Sequence, residues 1–370
     1  MAAMARQHAV SPVVPPTHCF AKELSGENPP SFQAMQRLYE LATELFALRP
    51  WEMLEDDQLI LTRDGDQGDF RYCFVMGALG EVYAMHAYMG SESYRYYRRI
   101  QAGEQIQSGE FLAALHSVYV EFVPRSELER QDRDLLVWLE HPRAKGIANP
   151  IFRASRRGFH PWFVTAEEAG ILTECVRATI VVCHAVRRGE GKRFWSRENV
   201  FPMVLPEDCA GSQQRIELAK APMPDEQPLP PARVDKAKLS RVRGQDLPLR
   251  GVMELDYIPT GAPIGRSNER KACACFSLAV DAGTGLVYAP HTSDSSETAG
   301  DSLAQVFVDA VQATHVLPKE VRLRSARLRN CVASLIESMG TTVSISPKLP
   351  ALDEAREHLL AFMRGGSDEA

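Results

Sequence analysis

The sequence predicts two mixed α/β halves joined by a proline-rich connection: an α+β N-terminal domain with an antiparallel meander and helices, then a C-terminal α/β domain of order βββαβαβα. Three observations predict it. The chain has 370 residues, beyond the size at which a single core usually stops growing. Pro202, Pro206, Pro222, Pro224, Pro228, Pro230, Pro231 and Pro248 break any long element between them, and the charged stretch 233–243 lies in the same segment. On either side of that segment, apolar residues recur with the periods of strands and helices. The expected boundaries are a loose tail over 1–30, the α+β domain over 31–201, the connection over 202–248, the α/β domain over 249–364 and a tail over 365–370.

In the first half, Met35, Leu38, Leu41, Ala42, Leu45 and Leu48 form a helical face that Pro50 terminates. Strands are expected at 58–62, 70–76 and 81–88, joined by a Gly/Asp turn over 63–69 and by Gly77–Gly80, which together make a meander. Helices follow near 91–101 and 109–115, then a strand at 118–123 and a helix at 126–139. The clearest helix is 165–188. Thr165 and Glu168 form a capping box, and Gly189 stands where a C-terminal cap belongs. Its apolar residues cover more than one stripe, which implies burial.

In the second half, strands are expected at 252–258, 272–281 and 286–291, the last two joined by the turn 281–285. A helix over 298–315, a strand over 320–324, a helix over 326–339, a strand over 341–346 and a helix over 352–362 complete the order.

Composition is that of an ordinary globular protein: 45% hydrophobic and 24% charged. A net charge of −6 argues against a generally basic nucleic-acid coat but leaves room for local patches. The eight cysteines form no C-x-x-C pair, and most lie in apolar runs. With no apolar leader and no run of about 18 apolar residues, a cytoplasmic location without membrane contact is expected.

The C-terminal words resemble a known fold. Met253-Glu-Leu-Asp256-Tyr looks like a first strand carrying an acid, and Leu278-Ala-Val-Asp281-Ala-Gly-Thr-Gly resembles the hairpin of integrase cores. Ser295-Ser-Glu297-Thr298 opens the next helix, and Pro318-Lys-Glu-Val321-Arg-Leu-Arg324 stands where the second acid would be. With the element order, these words resemble the ribonuclease H-like core of integrases and DDE transposases over about residues 250–362. The resemblance implies three carboxylates holding two divalent metals. Carried over, the first acid is Asp256 and the third is one of Asp353, Glu354 and Glu357, with spacing favouring Glu357. Arg324 occupies the second place, and a guanidinium repels a metal. The reading is a fold without its full active site: Asp256, Glu354 and Glu357 are vestigial candidates, with no metal or other cofactor.

The whole chain also resembles a set of bacterial two-domain proteins of unknown function. It shares Val75-Met-Gly77-Ala-Leu-Gly80-Glu81-Val-Tyr83, Phe152-Arg153 followed by Pro161-Trp162-Phe163-Val-Thr165, and Leu349-Pro-Ala-Leu-Asp353-Glu-Ala-Arg356.

Arg322, Arg324, Arg327 and Arg329 form the densest basic run, either a phosphate-binding groove or a set of salt-bridged or solvated arginines. Tyr94-Arg-Tyr-Tyr-Arg-Arg99 could stack bases and pair phosphates, or could be an amphipathic helix with buried tyrosines and solvated arginines. Gly77–Gly80 reads as a hairpin turn rather than a phosphate loop, and Asp64–Asp69 as a solvated turn rather than a calcium loop. Cys273 and Cys275 share a strand face, but a zinc site would need Cys331 or His291 beside them. The leading expectation is a non-catalytic binding or regulatory protein whose partner is nucleic acid or another protein. Two alternatives stay open. One is a metal-dependent nuclease using Asp256, Asp281 and Glu354 or Glu357; the other is a protein-interaction scaffold built on the N-terminal meander.

Overall fold

A computed structural model describes residues 23–24, 26–63, 68–106, 108–140, 147–205, 215–221, 226, 228–294 and 297–365. Most of the expected N-terminal tail, the turn residues 64–67 that suggested a calcium loop, Ser295–Ser296 and the last five residues lie outside them. The chain is mixed α/β, with two mixed sheets among the described residues.

Packing divides it into two compact units whose borders cross the sequence. The first is Met1–Ala87, Val118–Ala154 and Phe163–Ala221; the second is Tyr88–Ser117, Ser155–Trp162 and Pro222–Ala370. Two segments from the first half of the chain therefore pack with the second half.

The first unit is built on an eight-stranded sheet. Its strands are β1 (Ile60–Arg63), β2 (Phe70–Met76), β3 (Tyr83–Met89), β4 (Ser117–Pro124), β5 (Ile147–Ser155), β6 (Trp162–Phe163), β7 (Val200–Val204) and β8 (Ile216–Lys220), in the order β6-β5-β4-β3-β2-β1-β7-β8. The meander is longer than the sequence predicts. The proline-rich segment also contributes β7 and β8, β7 lying parallel to β1. Pro202 is tolerated in β7 because the β1–β7 pairing is confined to Leu61 and Met203.

Helix α1 (Phe32–Leu48) packs on the longest helix, Ala166–Arg187, which in turn lies against β1, β2 and β7. Its N-cap is the expected box: Glu168 N–H donates to Thr165 Oγ1 at 3.2 Å and Thr165 N–H donates to Glu168 Oε2 at 2.9 Å. By length and composition this helix could cross a membrane, against the expectation that no segment would. Its apolar residues, Leu172, Val176, Val182 and Cys183 among them, are instead buried within the unit.

The second unit has a five-stranded sheet of β9 (Val252–Ile264), β10 (Ala272–Asp281), β11 (Val287–Ser293), β12 (Glu320–Leu323) and β13 (Thr342–Ile345), ordered β11-β10-β9-β12-β13. The first three strands are antiparallel, and β12 runs parallel to both β9 and β13. Numbering helices along the chain, α2 is Gly90–Gln101, α3 Ser108–Ala114, α4 Arg130–Trp138, α5 the Ala166–Arg187 helix, α6 Lys236–Arg243, α7 Ala299–Thr314, α8 Ala326–Glu337 and α9 Pro350–Gly365.

The period-2 alternation of β9 sorts the core. Met253 and Leu255, with Val321, Leu323 and Val343, pack against Leu303, Phe307 and Val311 of α7 and Cys331, Val332 and Ile336 of α8. Ile258, Leu278 and Val280 face the other way, onto Leu349 and Leu352. Helix α3 lies on β9 so closely that a Cβ at Gly109 would sit 2.1 Å from the Pro259 carbonyl oxygen. That close approach explains why residues 88–117 pack with the C-terminal strands.

Candidate functional site

β9 and β12 are neighbours, with Arg322 opposite Glu254. Two residues further along the same register, Arg324 falls level with Asp256 and on the same face. The side chains meet there. Arg324 Nε donates to Asp256 Oδ2 at 2.9 Å, Nη2 donates to Asp353 Oδ1 at 2.6 Å, and Nη1 donates to the Pro347 carbonyl at 3.2 Å. Asp256 is 4% exposed. Burial pushes its carboxyl above the ordinary aspartate range, against the pull of the Arg324 guanidinium. Burial also disfavours the Arg324 cation, but Asp256 and Asp353 outweigh it and raise its pKa.

Glu254 shares this face, is buried, and accepts from the Leu352 N–H at 2.8 Å. That N–H lies in the first turn of α9, where helical N–H groups have no intrahelical acceptor and an anion is favoured. Sequence reasoning missed Glu254. Its spacing of two from Asp256 on a strand was the available signal, because it puts both acids on one face.

Glu354 and Glu357 are exposed on α9, and it is Asp353 that pairs with Arg324. Asp281 cannot join them. Leu278 pairs with Asp256 across the sheet, so Asp281, three residues on, projects from the opposite face. Its carboxylate closes the β10–β11 turn instead. It accepts from the Gly283 N–H at 3.0 Å, the Thr284 N–H at 2.8 Å and hydroxyl at 3.0 Å, and the Tyr288 hydroxyl at 3.2 Å. Burial alone would raise its pKa; these donors lower it. Among the described residues, no three His, Cys, Asp or Glu side chains come together where they could hold a metal ion.

The four arginines of the basic run go to four places. Arg322 pairs with Glu320 at 3.0 Å, and Arg324 enters the Asp256 cluster. Arg329 donates to the Val343 carbonyl at 3.2 Å and pairs with Glu337 at 3.3 Å. Arg327 turns to the α7 side of the sheet, where Tyr257 of β9 also points.

On that side α2, α3, β9 and the first residues of α7 and α8 enclose a cavity of about 640 Å³. Glu92 lies in its floor with its side chain 5% exposed, and its Oε1 accepts from Arg95 at 3.0 Å and from Arg327 at 3.1 Å. At the mouth, the half-exposed Glu226 reaches the same two arginines at 3.3 and 3.9 Å. Arg99 pairs with Glu104 at 2.6 Å and Glu110 at 2.8 Å. The guanidinium carbons of Arg95 and Arg99 lie 5.5 and 4.9 Å from the Tyr96 ring centre. Tyr94 and Tyr97 are buried as the helical reading expected. Two of the arginines expected in solvent, Arg95 and Arg99, are instead drawn into ion pairs, because the rest of the second unit covers their face.

Residues 36–201 match the family model of a domain of unknown function, DUF7309, and residues 238–360 match that of another, DUF6930. The chain carries two domains of unknown function. No curated protein matches it. The DUF6930 match contains Asp256, Arg324, Arg327 and Asp353, whereas Glu92, Arg95 and Arg99 belong to the DUF7309 match.

Proposed function

We propose that this protein is a non-catalytic binding or regulatory protein whose C-terminal module is a degenerate ribonuclease H-like core. The fold reading is supported by three antiparallel strands followed by two parallel ones, in an order that puts the first strand at the centre beside the fourth. The observation that carries the loss of catalysis is the Arg324 guanidinium between Asp256 and Asp353. A two-metal nuclease needs its carboxylates free to ligate cations. Here a permanently charged side chain takes up both acids and ties β9, β12 and α9 together. No cofactor is required by this reading, and it fits a cytoplasmic protein acting on nucleic acid or another protein.

The test is an incubation of the full chain with Mg²⁺ or Mn²⁺ and single-stranded, double-stranded and hybrid DNA and RNA. The expected result is intact substrate at every metal concentration. Metal-dependent cleavage that disappears in Asp256→Ala would overturn the reading.

A further inference from the structure

We propose that the cavity bounded by α2, α3 and the start of α8 is a binding site for a small organic phosphate of about mononucleotide size. It adds a ligand to the reading of the second unit as a binding module and rests on that reading only there. The arginines that would hold the phosphate are Arg95 and Arg327.

Several independent features converge on this assignment. Arg95 and Arg327 come from sequence-distant helices and are held side by side by one buried acceptor, Glu92 Oε1, at 3.0 and 3.1 Å. Two guanidinium groups held on one acceptor form a preorganised pair of the kind that recognises phosphate oxygens. Arg327 lies in the first turn of the twelve-residue helix α8, capped by Ser325, where backbone N–H groups favour an anion.

The clamp already grips one carboxylate, that of Glu226, loosely and from the mouth: its side chain is 51% exposed and 3.3–3.9 Å away. A ligand anion would take its place. With Glu226 displaced, the lining retains four arginines (95, 99, 157, 327) against Glu92 and Glu110. Glu104, which also holds Arg99, brings that balance to one positive charge, which still favours an anion.

Size and lining then say what the phosphate is attached to. About 640 Å³ falls in the range of small-molecule sites, roughly 300–1,000 Å³, and is far more than a bare phosphate fills. Pro228, Leu229, Pro230, Pro259 and Leu328 give the cavity apolar walls. Those walls fit an organic body such as a nucleoside better than a second charged group.

Calorimetric titration of the full chain with AMP, GMP, CMP, UMP and inorganic phosphate tests the proposal. At least one mononucleotide is expected to bind at least tenfold more tightly than inorganic phosphate. Arg95→Gln and Arg327→Gln should each weaken it about tenfold, and Glu226→Gln, which removes the competing carboxylate, should tighten it severalfold. Glu226 is exposed, so that variant stays informative even if an arginine variant fails to fold. The proposal is overturned if no probe saturates below millimolar concentration, or if inorganic phosphate binds as well as every nucleotide. It is overturned equally if Glu226→Gln weakens binding or leaves it unchanged. Cleavage in the nuclease assay would overturn the non-catalytic reading and leave this result standing, so the two failures are distinguishable.

Discussion

Arg324 donates from Nε to the buried carboxylate of Asp256 at 2.9 Å, joining the loop after β12 to the centre of β9. Removing the guanidinium leaves a buried carboxylate without its counter-charge. Such losses cost about 3–5 kcal/mol when both partners are buried. Arg324 is about one-third exposed, so Arg324→Leu should cost about 2–3 kcal/mol in urea unfolding. Asp256→Leu combined with Arg324→Leu should recover part of that loss, because no charge remains stranded. A double variant less stable than the sum of the single changes would contradict this account.

His86 supplies a pH dependence in the first unit. Its ring stacks between Phe74 and Tyr119 at 5.5 and 4.6 Å, and burial lowers its pKa from 6.5 to about 4. The folded state therefore resists a proton that the unfolded chain accepts. Stability should fall as pH drops from about 6.5 toward 4 and be fully present above that window. The drop from 6.5 to about 4 corresponds to a loss of roughly 3 kcal/mol at most. Denaturant midpoints measured across this range should show the slope in the native protein and a flatter profile in His86→Phe.

Gly109 has no room for a side chain. A Cβ there would lie 2.1 Å from the Pro259 oxygen and 2.4 Å from its carbon, both backbone atoms that cannot step aside. Gly109→Ala should cost about 3 kcal/mol or more despite alanine's better helix propensity. Thermal unfolding would show it. A neutral outcome would mean that α3 does not dock on β9 as described.

Arg153 and Asp132 form a buried pair in the first unit. Two hydrogen bonds at 2.9 and 2.7 Å link them, and the guanidinium lies 4.3 Å from the Phe163 ring centre. Asp132→Ala should destabilise by about 3–5 kcal/mol, while Arg153→Lys should lose most of the fork geometry and a comparable amount. Chemical denaturation of both variants checks the expectation.

Sequence periodicity located the C-terminal strands and helices because each element there buries one regular face. It failed at β5, where Asn149 donates to the Val123 carbonyl at 3.1 Å and Arg153 is buried with Asp132. Buried polar partners in that strand hide the alternation that marks strands. It also failed at β7, whose Pro202 reads as a break. Arg324 was visible from the sequence as a misplaced cation, but the acid that answers it was not. Asp353 and Glu357 are four residues apart on one helix face, and spacing favoured Glu357, the one that does not meet Arg324. The helix start at Pro350 puts Asp353 in the first turn, within reach of Arg324. The meeting of Arg95 with Arg327 was out of reach altogether, since only the docking of α3 on β9 brings those distant residues together.

That docking has a consequence for how the chain can be divided. Gly158 donates to the Leu112 carbonyl at 2.9 Å and accepts from the Cys273 N–H at 2.7 Å, and His160 donates to the Lys271 carbonyl at 2.9 Å. A cut at the proline-rich segment would sever Cys273 and Lys271 from those partners and strip α3 from β9. The C-terminal piece would keep its strands but lose a wall and expose the apolar surface beneath it. The two halves are thus separable as sequence modules but not as folding units: a gene encoding only the second half would have to supply a substitute for residues borrowed from the first.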